Sequence, residues 1–245
     1  MCTVTFIPTN DGFYFTSSRD EKANRTTIPP KTYNVDGIEL VFPKDKLAGG
    51  TWIASNPSGK TACLLNGAFV NHIKEKQYDR SRGLILLESF NYNTTPEFCD
   101  EVKLNNVEPF TLLTLDYEEG VLNKFYELRW DGENKHLKKL SLTDNQIWSS
   151  ATLYAPSVQE VRQSLFKTWL EKHNDFEDKM ILNFHNRKHG LNTNEDILMK
   201  GKGNLRTLSI SQIHVQKYKA VFNYFDIEKN KDYKVELLKD ILIHA

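Results

Sequence analysis

Cys2 is the residue with the most chemistry to offer. A small side chain after an initiator Met is the context in which an aminopeptidase removes Met1, which leaves a free α-amine beside a thiol. One residue would then hold both nucleophile and base. The ordinary pKa of such an amine is about 7.7–8.0 and that of the thiol about 8.5, so a modest positive environment populates thiolate at neutral pH. The alternative is a small buried residue at the start of a strand. Arg19 and Asp20 bring charge to it. The β-branched or aromatic runs 2–7 and 13–17, separated by Pro8-Thr9-Asn10-Asp11-Gly12, read as a hairpin. An antiparallel hairpin returns the end of its second strand to the start of its first. Arg19 would stabilise a thiolate there, and Asp20 would hold the ammonium or orient a substrate nitrogen. A solvated charge cluster closing the hairpin is the other reading.

The elements that must position these residues follow from pattern and punctuation. Residues 38–42 read as a strand, and 51–54 pairs with 61–65 across Asn56-Pro57-Ser58-Gly59. Residues 83–90 read as a buried helix, and Thr95-Pro96-Glu97 opens a second. Strands return at 111–115, 121–130 and 135–140, with Asp131-Gly132 as the tight turn between the last two. From Ser157, the residues Val158, Val161, Leu165, Trp169 and Leu170 form one helical stripe, with Gln159, Arg162 and Lys172 turned away. Residues 208–215 and 220–225 make a last strand pair before a charged C-terminal segment. This order predicts an α+β fold of helices on stacked, mostly antiparallel sheets.

No Pro-, Gly- or Ser-rich linker divides the 245 residues, so 1–245 reads as a single domain. Lys and Arg balance Asp and Glu at 32 each, which removes the long-range positive field of a nucleic-acid binder and leaves room only for a local basic patch. No apolar run approaches the ~18 residues of a membrane span. The first residues lack a secretory pattern, so a cytoplasmic location is expected, and Cys2, Cys63 and Cys99 read there as free thiols. Asn24-Arg25-Thr26 and Asn93-Thr94-Thr95 match the glycosylation pattern and read as chance matches. His185 and His189 stand at i and i+4, but no Glu or third ligand accompanies them. A polar helix end is expected, and no metal.

Met1-Cys2-Thr3, Ser18-Arg19-Asp20-Glu21, Gly49-Gly50-Thr51-Trp52-Ile53, and Leu64-Leu65-Asn66-Gly67 followed by Arg80-Ser81-Arg82-Gly83 together resemble the NRDE family. This is the transport and Golgi organisation protein 2 family. The resemblance runs through the first 90 residues, resumes at 147–161 and touches Leu205-Arg206-Thr207-Leu208. It implies an N-terminal-nucleophile hydrolase fold, a four-layer αββα sandwich. Through that fold the family is distantly similar to bile-salt hydrolases and penicillin V acylases, which cleave amides with an N-terminal Cys, an Arg and an Asp just downstream, and an asparagine-based oxyanion hole. The catalytic candidates carried over are Cys2, Arg19, Asp20 and Asn66, the last at the position that supplies a backbone N–H to the oxyanion. Ser18, Glu21, Trp52, Ser150 and Arg206, in the other matched motifs, are the substrate-contacting candidates.

Two departures stand out. Ser18 replaces the Asn that opens the naming motif, and Ser150 replaces an Asn that aligns with a side-chain oxyanion donor. Losing one such donor costs ~100-fold or more in rate. The resemblance therefore implies either action on a non-peptide carbon–nitrogen bond of a small molecule, or binding without turnover of haem or a related hydrophobic metabolite. No cofactor is expected beyond haem as a ligand, for which His72 and His214 are the candidate axial residues, although an isolated His is more often structural.

Overall fold

The structure, a computed structural model, describes residues 3–173, 176–201 and 204–238. The chain opens with β1 (Thr3–Thr9) and β2 (Gly12–Lys22), joined by the two-residue turn Asn10-Asp11, which pairs Thr9 with Gly12 and Thr3 with Ser18. It then crosses to a second sheet and builds seven strands there in chain order. These are β3 (Thr27–Val35), β4 (Ile38–Asp45), β5 (Ile53–Ser55), β6 (Lys60–Asn66), β7 (Phe110–Glu118), β8 (Val121–Trp130) and β9 (Lys135–Lys139). Between β6 and β7 lie α1 (Arg82–Glu88) and α2 (Thr95–Glu101). A capping box starts α2: the Thr94 side chain accepts from the Glu97 N–H, and the Glu97 carboxylate accepts from the Thr94 N–H.

The chain returns to the first sheet with β10 (Gln146–Ser149), then forms α3 (Pro156–Glu171) and α4 (Asp178–His185). It ends on β11 (Leu205–Gln216), β12 (Lys219–Asp226) and β13 (Lys231–Glu236). The first sheet runs β10-β1-β2-β11-β12-β13, and the pairings in both sheets are antiparallel.

Period-two alternation sorts the side chains into layers. Val4, Phe6, Phe13 and Phe15 from the first sheet meet Ile53, Cys63, Leu113 and Phe125 from the second in the central core. The outer face of the second sheet, with Leu40, Ala62 and Leu112, packs under Ile85 and Phe98 of α1 and α2. The outer face of the first sheet, with Ile7 and Tyr14, packs under Phe166, Trp169, Ile181 and Phe184 of α3 and α4. This is the four-layer αββα sandwich that the family resemblance implies. Fully burying such aromatic and aliphatic side chains is worth roughly 1.5–3 kcal/mol each, and it fixes which face of β1 and β2 looks into the core.

One element corrects the expected pattern. In α3 the buried residues are Arg162, Phe166 and Trp169, while Val161 is 47% exposed. The stripe is rotated because α3 covers a polar part of the first sheet. There the Arg162 guanidinium donates to Thr3 Oγ1 and Ser149 Oγ and to the carbonyls of Glu195 and Asp196. His185, expected at a polar helix end, is fully buried at the last turn of α4, and His189 lies beyond the helix with Nε2 2.9 Å from the Phe184 carbonyl. The charged C-terminal segment forms β13 at a sheet edge.

Candidate active-site cleft

Arg19 sits near the end of β2, on the face that looks toward the second sheet, and is buried. Its NH2 donates to Asp45 Oδ2 at 2.9 Å, and its guanidinium lies over the Trp52 ring, 4.7 Å from the centroid. Asp45 ends β4 and holds two guanidiniums at once, because Arg25 Nε donates to the same oxygen at 2.7 Å. Its other oxygen accepts from the N–H groups of Leu47 and Ala48. Burial pushes the Asp45 carboxyl up, but the Ala48 N–H and the charges of Arg25 and Arg19 outweigh it and hold the pKa below the usual carboxylate value. The pair is a fixed ionic anchor, and most of the five Arg19 donors are free of it.

Trp52 reaches Arg19 because two glycine motifs pack backbone against backbone. A Cβ on Gly50 would lie 2.7 Å from the Gly83 carbonyl carbon, and one on Gly83 would lie 2.6 Å from the Thr51 oxygen. No side chain fits at either position. Asn66 closes β6, and Gly67 after it has φ +81, a left-handed conformation suited to glycine. The Asn66 carbonyl accepts from Ser150 Oγ at 2.8 Å, so the loop after β10 is tied to the end of β6.

Arg19, Trp52, Asn66 and Glu21 all line a cavity of about 350 Å³. It is contiguous with a second of about 840 Å³, since Glu21, Arg25, Asn66, Lys74, Arg82 and Glu108 belong to both. His72 lines the larger one, with Nε2 3.4 Å from Glu108 Oε1 and neither ring nitrogen hydrogen-bonded among the described residues. Arg82 donates to Glu108 Oε2 at 3.0 Å.

Other candidates lie elsewhere. Ser18 and Asp20 turn to the helix side of β2: Ser18 Oγ is 2.8 Å from His185 Nδ1, while Asp20 accepts from Tyr154 Oη at 2.9 Å and Thr207 Oγ1 at 2.5 Å. Arg206 is exposed and bonded to Glu228. His214 stacks on Tyr14 with Nδ1 2.7 Å from Asp178 Oδ1, away from the cleft. Cys2 lies outside the described residues.

Sequence reasoning missed Asp45, Arg25, His185 and Arg162. Asp45 stands between Lys44 and Lys46 in no recognisable motif, and Arg25 falls inside the chance glycosylation match. Among the described residues no cluster of His, Cys, Asp and Glu has metal-holding geometry, and no helix is long and apolar enough to cross a membrane.

Comparison with solved structures returns the same sandwich. Two variants of conjugated bile acid hydrolase from Clostridium perfringens superpose with TM-scores of 0.55 and 0.57 at 14% and 13% identity, covering 96% and 97% of this chain and 92% of theirs. An N-acylethanolamine-hydrolyzing acid amidase ortholog from Caenorhabditis elegans superposes with a TM-score of 0.50 at 10% identity, covering 86% of this chain and 92% of its own. At such identities the likeness is one of fold, that of the N-terminal-nucleophile hydrolases. No curated protein matches the sequence. The model of the Transport and Golgi organisation 2 family matches residues 1–234, and the chain belongs to that family.

Proposed function

We propose that the chain is an amidohydrolase that uses Cys2, freed of Met1, as an N-terminal nucleophile on a carbon–nitrogen amide bond of a small molecule. The observation that carries this reading is Arg19, buried, anchored to Asp45 and stacked on Trp52 in a cleft that Asn66 also lines. Cys2 precedes Thr3 in the chain, and the strand partner of Thr3 is Ser18, the residue before Arg19. In the reaction the Cys2 thiolate adds to the amide carbonyl, and the Asn66 backbone N–H receives the developing oxyanion. The amine leaves with a proton from the α-ammonium, and water then cleaves the thioester. Asp20, held by Tyr154 and Thr207 behind the sheet, would act by fixing the strand that presents Arg19.

The test is intact-mass analysis of the native protein, then of the protein mixed with N-acyl amino acids. Loss of Met1, an acyl adduct on Cys2 that is absent from Cys2→Ala, and slower Cys2 alkylation at mildly acidic pH in Arg19→Ala are expected. Retained Met1, or no adduct with any amide or ester, would exclude it.

A second reading rests on His72, whose imidazole faces the larger cavity without a hydrogen-bond partner among the described residues. A cleft that binds haem without turnover would use such a nitrogen as an axial ligand. Haem should then saturate at one equivalent with a Soret band that changes in His72→Ala. An unchanged spectrum would argue against this reading.

A further inference from the structure

Acidic and basic residues balance over the whole chain, yet the two joined cavities do not share that balance: seven Lys or Arg side chains line them against three carboxylates. Each carboxylate is already taken. Asp45 is held by Arg19 and Arg25, Glu21 by Arg25, and Glu108 by Arg82. Arg80 is satisfied by Glu88, which lies outside the lining. What remains is Lys22, Lys46 and Lys74 around the larger cavity, and among the described residues none of these ammonium groups has an ion-pair partner. A concave surface with three uncompensated cations concentrates anions even in a neutral protein, because the surrounding low-dielectric wall focuses their field. Two exposed apolar side chains adjoin these cations in the chain. Leu47, next to Lys46, lines the same cavity and is 85% exposed, and Ile73, between His72 and Lys74, is 92% exposed.

From this juxtaposition we propose that the cleft is selective for an amphiphilic anion: an N-acyl compound whose head is a carboxylate or phosphate held by Lys22, Lys46 and Lys74, with its acyl part over Leu47 and Ile73. The amide linkage rests on the hydrolase reading above. The anion site rests only on the charges.

The test is calorimetric binding of N-octanoylglycine, O-phospho-N-octanoylethanolamine and the neutral N-octanoylglycinamide to the full chain. The better anion should bind about tenfold or more tighter than the neutral probe, since three ammonium groups near one anion supply at least that much. The preference should shrink in about 0.5 M sodium chloride, where screening acts within a few ångströms. It should vanish in the Lys22→Glu, Lys46→Glu, Lys74→Glu triple variant, whose exposed positions leave the core intact and whose fold is checked by thermal melting. The tighter of the two anions names the head group. Equal binding of the neutral probe, an anion preference that survives in the triple variant, or no binding of either anion at about 1 mM, overturns the proposal. Acyl adducts formed equally well from neutral amides would overturn it while leaving the hydrolase reading in place. Anion-selective binding without any adduct would sustain it and remove the hydrolase reading.

Discussion

Ser18 and His185 are bound to each other across the back of the first sheet, with Oγ 2.8 Å from Nδ1, while Nε2 of the same ring is 2.8 Å from Thr5 Oγ1. One fully buried imidazole thus ties β1 to β2, the strand that carries Arg19 into the cleft. Both partners are hydroxyls that donate or accept as required, so the ring is satisfied in its neutral form. The hydroxyl at position 18 fits this role, and the chain's departure from the naming motif thereby acquires a structural partner.

The imidazole makes stability pH-dependent. Burial, reinforced by the charges of His189 and Arg162, pushes the His185 pKa from 6.5 down to about 3. Between those values the unfolded chain binds a proton that the folded chain does not, so stability falls as pH falls, by up to ~1.4 kcal/mol per unit. Urea unfolding between pH 7 and pH 4 should show this slope in the parent and a flatter one in His185→Gln. Parallel slopes would mean that another group dominates.

Arg162 should prove equally structural. It is fully buried, its guanidinium carbon lies 3.5 Å from the centre of the Tyr154 ring, and its bonds go to neutral acceptors. Arg162→Met strands the carbonyls of Glu195 and Asp196 and the Thr3 hydroxyl, a loss of roughly 3–5 kcal/mol. Arg162→Lys should lose less, because the charge stays but the fork does not. Hydrogen exchange at Thr3 to Phe6 should rise in both. A loss under ~1 kcal/mol in Arg162→Met would contradict the role.

The two cysteines among the described residues should be poor nucleophiles. Burial pushes the Cys63 thiol up to about 12, and burial also raises that of Cys99. Iodoacetamide at pH 8 should leave Cys63 unmodified in the folded protein and label it only with unfolding, with Cys99 slow. Rapid native labelling of Cys63 would show that the inter-sheet core opens far more than its packing implies.

Central strands and turns were legible in the sequence, and three of the four sheet edges were not. The hairpin at Asn10-Asp11, the Asp131-Gly132 turn and the capped start at Thr94 each carry local chemistry that survives any tertiary context. β3, β10 and β13 are edge strands with weak patterns of their own, whereas β9, the fourth edge, is legible because the Asp131-Gly132 turn ties it to β8. β3 contains Pro29 and Pro30, tolerated where no ladder continues outward, with a register shift between Ile28 and Lys31. β13 alternates charge along an exposed edge, as edges do to resist pairing. In the cleft, Arg19, Trp52 and Asn66 could be found from motifs, but Asp45 could not. Its role depends on a contact between residues 26 apart in different sheets, and no local pattern records that.

Asp45 therefore offers the sharpest test of the anchor. Asp45→Asn keeps the shape but leaves Arg19 and Arg25 without their shared counter-charge, and breaking a buried pair from one side costs up to ~3–5 kcal/mol. Arg25 is partly exposed and solvent compensates it, so roughly 1–3 kcal/mol is the expected loss at pH 7. The sign of the pH dependence follows from the depressed carboxyl. Its contribution is complete above the unfolded value of 3.8 and disappears as pH falls through the lowered folded value. Parent and variant should thus differ at pH 7 and converge in strong acid, on top of the His185 slope that begins near pH 6.5 in both. The freed Arg19 should also lose its fixed place over Trp52, read as a change in Trp fluorescence at neutral pH. A variant as stable as the parent at pH 7, with unchanged fluorescence, would show that Trp52 stacking alone holds Arg19 and that the carboxylate is dispensable.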